Sequence, residues 1–175
     1  MKLTIDYGAT GLEIAVPDSA TVLQMAAGAG LDEVDAGIDA ALARPIGTPA
    51  LRQLAQGRKN ACIGIADITR PVPNATILPP MLQILEEEGV AREDITILVG
   101  TGLHRPNEGE ELVQLVGAAI ARDYRIVNHM AREQETLTYL GETSCGAPIW
   151  IDTLYVEADL KIATSLIEPH LMAGY

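Results

Sequence analysis

The chain contains no Phe and a single Trp among its 175 residues. A core built here must therefore come from Ile, Leu, Val and Ala. Cysteine is almost as scarce, with only Cys62 and Cys145. Two thiols so far apart give neither a disulfide framework nor zinc-ligand spacing. Cys62 sits in an apolar run and reads as an inert buried thiol; Cys145, in Ser-Cys-Gly, reads as a turn residue. Positive charge is also thin: 12 Lys and Arg stand against 24 Asp and Glu, for a net charge of −12. That excludes a general binder of nucleic acid or of anionic membrane, both of which need a basic face. It does not exclude a small anionic ligand, because a few arginines in one place override the global field. No apolar run approaches the roughly 20 residues needed to cross a bilayer. The N-terminus alternates in polarity and is no signal peptide, so the expected location is the cytoplasm.

Hydrophobic residues nevertheless make up 48% of the chain, and their arrangement is informative. Residues 2–7 and 10–16 read as two strands around Gly8 and Gly11. Leu31, Val34, Ile38, Ala41 and Leu42 share one face of a helix. Pro45 and Gly47 end it, and Thr48 is placed to cap a short helix through Leu54. Ala61–Ala66 is a continuous apolar run, the signature of a parallel strand buried on both faces. A helix is predicted over 76–88, with Pro79 and Pro80 in its first turn, Asn74 as its cap, Glu86–Glu88 as its solvated end, and Gly89 as its stop. Ile95–Val99 is the next strand, 108–121 the next helix and 124–127 the next strand. Residues 136–140 and 148–151 form a hairpin around Gly141 and Gly146, and 160–163 a last short strand. This order predicts an α/β, Rossmann-like, mostly parallel sheet flanked by helices, with an antiparallel hairpin attached. Residues 1–175 read as one α/β domain.

Three polar clusters begin where short apolar runs end: Asp67-Ile68-Thr69-Arg70-Pro71, Gly100-Thr101-Gly102-Leu103-His104-Arg105-Pro106-Asn107, and Ser165-Leu166-Ile167-Glu168-Pro169-His170. Ligands of open α/β sheets bind outside the carboxyl ends of the strands, so these clusters are expected to share one sheet edge. Asp67 is placed either to accept from sugar hydroxyls or to close an Asx turn. Arg70 is placed either to pair bidentately with phosphate or to bridge to Asp67. The Gly100–Gly102 turn lets backbone approach a ligand, but it lacks the third glycine of the dinucleotide fingerprint. His104, His129 and His170 all lie beyond strand ends. Imidazoles so placed can act as acid–base partners near neutral pH or as metal ligands. Spacing alone does not separate these.

In their order, Asp67-Ile-Thr-Arg-Pro71, Gly100-Thr-Gly-Leu-His-Arg-Pro-Asn107 and Ile167-Glu-Pro-His-Leu-Met-Ala-Gly-Tyr175 resemble the nickel-pincer-nucleotide-dependent lactate racemase family. The resemblance runs from about Asn60 to Tyr175. It implies a racemase of a small 2-hydroxy acid that moves hydride to and from a nickel-pincer nucleotide, a pyridinium-3,5-dithiocarboxylic acid mononucleotide. His104 and His170 would be its acid–base pair, and Asp67, Thr69 and Arg70 would hold the cofactor's ribose-phosphate end. No metal ligand is implied within these residues. The family's last motif continues as Ser-Gly-Gly-Arg-Lys, with the anchoring lysine and the nickel-ligating histidine further on. The 175 residues are therefore expected to be the N-terminal domain of a two-domain protein, inactive without its C-terminal domain. Met130 follows His129 where the family often has an acidic residue, so no role is carried onto His129, and none onto Arg105. Two other classes fit the residues themselves: a non-catalytic nucleotide- or anion-binding module, and a metal-dependent lyase using the three histidines.

Overall fold

The computed structural model describes residues 1–8, 10–23, 28–169 and 174. His170 lies outside them. The chain falls into two compact units, 1–32 and 33–175.

In the first unit, β1 (Lys2–Ile5) and β2 (Leu12–Ala15) pair antiparallel, with Lys2 opposite Ala15 and Ile5 opposite Leu12. The expected hairpin is present with shorter strands. Gly11 has φ +75°, and a Cβ there would lie 2.8 Å from the Thr4 side chain, so the return of the chain needs glycine on both counts.

The second unit is built on a four-stranded parallel sheet. Its strands are β3 (Ala61–Ala66), β4 (Ile95–Gly100), β5 (Arg125–Asn128) and β8 (Leu160–Ala163), in the order β5-β4-β3-β8. Ile63 pairs with Ile97 on one side and Ile162 on the other. β3 reads as an unbroken apolar run, and β4 as one interrupted only by Thr96, because both faces are covered. One face carries Ile63, Ile65, Ile95, Ile97 and Val99, all at most 3% exposed, packed against Leu78, Met81, Leu82 and Leu85 of α3 (Asn74–Glu87). Burying one such side chain contributes about 1.5–3 kcal/mol, so this layer holds the sheet. Helices α1 (Val34–Ala43), α2 (Leu51–Ala55), α4 (Glu110–Val116) and α5 (Ala118–Asp123) complete that side. The opposite face carries Cys62 and Leu98 against Tyr155 and Ala158. There the antiparallel pair β6 (Leu137–Glu142) and β7 (Pro148–Asp152) leads into the short helix α6 (Thr153–Glu157).

Several local expectations are corrected. α1 begins at Val34, and Leu31 is an exposed residue before it. Ala50, not Thr48, is the N-cap of α2. α3 starts at Asn74, which places Pro79 and Pro80 beyond the first turn. The carbonyls they release belong to Ala75 and Thr76, both exposed, where water replaces the lost bonds. Asn74 is not a cap: Pro73 holds that position, and the Asn74 amide is buried with neither polar atom bonded. The helix expected over 108–121 is two helices, broken at Gly117 with φ +87° and ψ 151°. Gly141 lies within β6, at a register shift, rather than in the turn. Helix α6 carried no sequence expectation.

Candidate functional site

The carboxyl ends of β3, β4 and β8 open onto one cavity of about 620 Å³. β3 is the reversal point of the sheet, with β4 on one side and β8 on the other. Such a reversal leaves a crevice where ligands bind. Gly64, Ala66 and Gly100 line it, and their small size leaves the sheet face bare. Leu98, Trp150 and Tyr155 form an apolar wall.

Asp67 follows β3 directly and is buried. Its Oδ1 accepts from the Thr69 hydroxyl at 2.6 Å, and its Oδ2 accepts from His104 Nδ1 at 2.7 Å. Burial pushes the Asp67 carboxyl up, but the Thr69 hydroxyl and the His104 ring outweigh it and hold the group below the ordinary aspartate value. Asp67 therefore fixes the His104 tautomer, with the proton on Nδ1 and Nε2 left for a ligand. The 67–70 turn is closed by the Arg70 N–H donating to the Asp67 carbonyl at 3.1 Å. The amide of Asn107 steadies it by accepting from the Ile68 N–H at 3.2 Å.

Arg70 lines the cavity and bridges to Glu168, not to Asp67, at 3.2 Å. Both partners are more than 40% exposed. Such a pair is worth only about 0–1 kcal/mol, so a phosphate could displace Glu168. Arg105 is not in the cavity lining. It forks onto Glu111 at 2.6 and 2.7 Å and, with Asn107, holds that carboxyl down at about 2.

The structure thus places His104, Asp67, Thr69 and Arg70 near one another; His170, expected beside them, lies outside the described residues. It also brings in His129, to which no role was attached, and Asp152, which was not considered. His129 Nδ1 lies 3.1 Å from Asp152 Oδ2. Thr101 joins the two histidine segments: its carbonyl accepts from the His104 N–H at 2.9 Å, and its hydroxyl donates to the His129 carbonyl. The only sequence signal for His129 was its place after a strand. Asp152 gave none, because its strand belongs to another sheet.

The resemblance implies a nickel-pincer nucleotide, and the residues present fit its polar end. The Thr164 hydroxyl is buried at the cavity wall with no partner among the described residues; a bound group would satisfy it. Arg70 supplies a guanidinium and Asp67 a carboxylate with remaining lone pairs. No group of three His, Cys, Asp or Glu side chains is placed to hold a metal among the described residues. Cys62 is buried, and desolvation, with Asp152 near it, pushes its thiol up to about 11, which leaves it unreactive. No helix among the described residues is long and apolar enough to cross a membrane.

Fold and cavity together define an α/β domain with histidine–carboxylate pairs lining a cavity at its strand ends. The chain belongs to the lactate racemase N-terminal domain family, whose model matches residues 7–175. It is 34% identical over 179 residues to a lactate racemase of Thermoanaerobacterium thermosaccharolyticum, covering 99% of this chain and 42% of the relative. It is 37% identical over 138 residues to a lactate racemase of Lactiplantibacillus plantarum, covering 79% and 32%. The solved structure of the lactate racemase apoprotein from Thermoanaerobacterium thermosaccharolyticum superposes with a TM-score of 0.79 at 32% identity, covering 97% of this chain and 40% of that one. The chain thus spans less than half the length of the relatives it matches.

Proposed function

We propose that this chain is the N-terminal part of a cytoplasmic racemase of a small 2-hydroxy acid, lactate or a close analogue. The observation that carries the reading is the His104–Asp67 pair at 2.7 Å, at the mouth of β3 and β4, in a chain of this family. Asp67 holds the proton on Nδ1, so His104 Nε2 takes a proton from the substrate hydroxyl in one direction and returns it in the other. His170 serves the opposite enantiomer in the same way. Arg70 binds the phosphate of the nucleotide, and Thr69 and Asp67 face its ribose. When bound, the nickel-pincer nucleotide supplies a site that accepts and returns the substrate's Cα hydride. A planar 2-keto acid reprotonated at oxygen and reduced on its other face leaves as the opposite enantiomer. The apolar wall keeps bulk water from the reacting carbon.

The test is racemisation of D- and L-lactate by the full-length protein loaded with cofactor. His104→Ala and His170→Ala should each cut the rate by about 10²–10⁴, the usual value of a general acid–base group, with nickel content unchanged. Arg70→Ala should lower nickel content instead. The 175-residue chain alone should racemise nothing and retain no nickel. Near-normal turnover by both loaded histidine variants would overturn the two-base reading.

A further inference from the structure

A second histidine–carboxylate pair lines the same cavity, and the proposed reaction leaves it without work. His129 follows β5. Its N–H donates to the Val99 carbonyl at 2.9 Å, and its own carbonyl accepts from Thr101. The backbone is therefore pinned on both sides. The ring is pinned as well. Nδ1 meets Asp152 Oδ2 at 3.1 Å, and Asp152 Oδ1 accepts from the Leu154 N–H at 3.0 Å, capping α6. Asp152 is buried, whereas the His129 side chain is 21% exposed and lines the cavity. Among the described residues, Nε2 has no hydrogen-bond partner.

The charges of the wall point the same way. Two buried carboxylates, Asp67 and Asp152, line the cavity, and each is paired with one imidazole. An anionic ligand entering here would meet both carboxylates unless the imidazoles stood between. Arg70 is the guanidinium of the lining, and it also carries Glu168. His104 is committed to the reacting hydroxyl under the reading above. Among the described residues, that leaves His129 as the remaining imidazole at this wall.

We infer that His129, aimed by Asp152, is a second ligand-binding histidine of the cavity: in the complex its ring carries both protons, Nδ1–H donating to Asp152 and Nε2–H to an anionic oxygen of the bound ligand. This rests on the reading in the previous subsection for the ligand's identity. Two groups of that ligand set carry such an oxygen: the carboxylate of the 2-hydroxy acid and the phosphate of the mononucleotide. Asp152 is a positioning residue, since it acts only through the ring.

The experiment uses the full-length, cofactor-loaded protein and two substitutions. His129→Asn retains an amide that reaches Asp152 as Nδ1 does, but has nothing at the Nε2 position. His129→Gln places an amide donor near Nε2. Lactate KM and nickel occupancy are read for each. If the oxygen is the substrate carboxylate, His129→Asn raises KM about 10- to 100-fold, as expected for loss of a hydrogen bond to a charged group. Its kcat falls far less, its nickel content stays full, and Gln recovers part of the loss. If the oxygen is the phosphate, the nickel content of the Asn variant falls and Gln recovers it. Both results support the assignment. Unchanged KM together with unchanged occupancy in a folded Asn variant overturns it. Should that variant not fold, Asp152→Asn reads the same contact through loss of ring orientation, and an unmoved KM and occupancy there overturn it equally. A wild-type protein that is loaded but silent on every 2-hydroxy acid overturns the racemase reading. Occupancy of His129→Asn then still decides this one.

Discussion

Asp67 carries two tasks at once. It is a buried carboxylate in the structural sense and the orienting group of His104 in the chemical sense. Its folded titration lies below that of an ordinary aspartate, held there by Thr69 and His104 against the effect of burial. The stability this gives is fully present above the unfolded value of about 3.9, and it is lost as pH falls through the lower folded value. Asp67→Asn should therefore lower the thermal midpoint at neutral pH, because a buried amide cannot accept at both oxygens. It should also flatten the fall of that midpoint below about pH 4. The cost at pH 7 should be about 1–3 kcal/mol, the penalty of a buried polar group left unmatched. Thermal unfolding of both proteins from pH 2 to 7 measures it; parallel curves would mean that the Asp67 carboxyl is not depressed.

Elements differ in how far local sequence determines them. β3 and β4 were legible because a strand covered on both faces is apolar nearly throughout: Ala61–Ala66 has no polar side chain, and Ile95–Val99 has only Thr96. The break between α4 and α5 was not, because the apolar spacing passes through Gly117 unchanged. What ends α4 is backbone geometry: φ +87° with ψ 151° is a region that residues with a Cβ avoid. A Cβ at Gly117 would also sit 3.6 Å from the Ala75 Cβ, an ordinary contact, so strain rather than crowding decides the outcome. Gly117→Ala should destabilise by about 1–3 kcal/mol, read as a lower urea midpoint with an unchanged slope. Helix α6 is too short to show a period, and Asn74 looked like a cap only because Pro73 was not expected to hold that position. The candidate site followed the same division. Asp67, Arg70 and His104 could be found from their place after strand ends. The two pairings could not, since their partners lie 37 and 23 residues apart in the chain. Such partners are chosen by the sheet order, which no local pattern encodes.

At the scale of the molecule, the order β5-β4-β3-β8 seats the last strand beside the first of the parallel sheet. The Lys59 N–H reaches Asp159 across 100 residues of chain, and the Thr164 N–H donates to the Gly64 carbonyl at 2.8 Å. β3, β4 and β5 are joined by shorter stretches that include α3, α4 and α5. Closing a longer loop costs more entropy before any contact rewards it. During folding the sheet should therefore grow from β3 outward through β4 and β5, with β8 docking afterwards. Pulsed hydrogen exchange during refolding should find the amides of Ile63 and Ile97 protected in an earlier phase than that of Ile162; simultaneous protection would refute this order. The wall formed by Ala163, Thr164 and Ser165 then belongs to the final kinetic event. A chain still emerging from the ribosome, with β3 and β4 already paired, would have Asp67 and His104 in place and no pocket for them to serve. Chain connectivity alone thus makes the cavity the last feature of this unit to be completed.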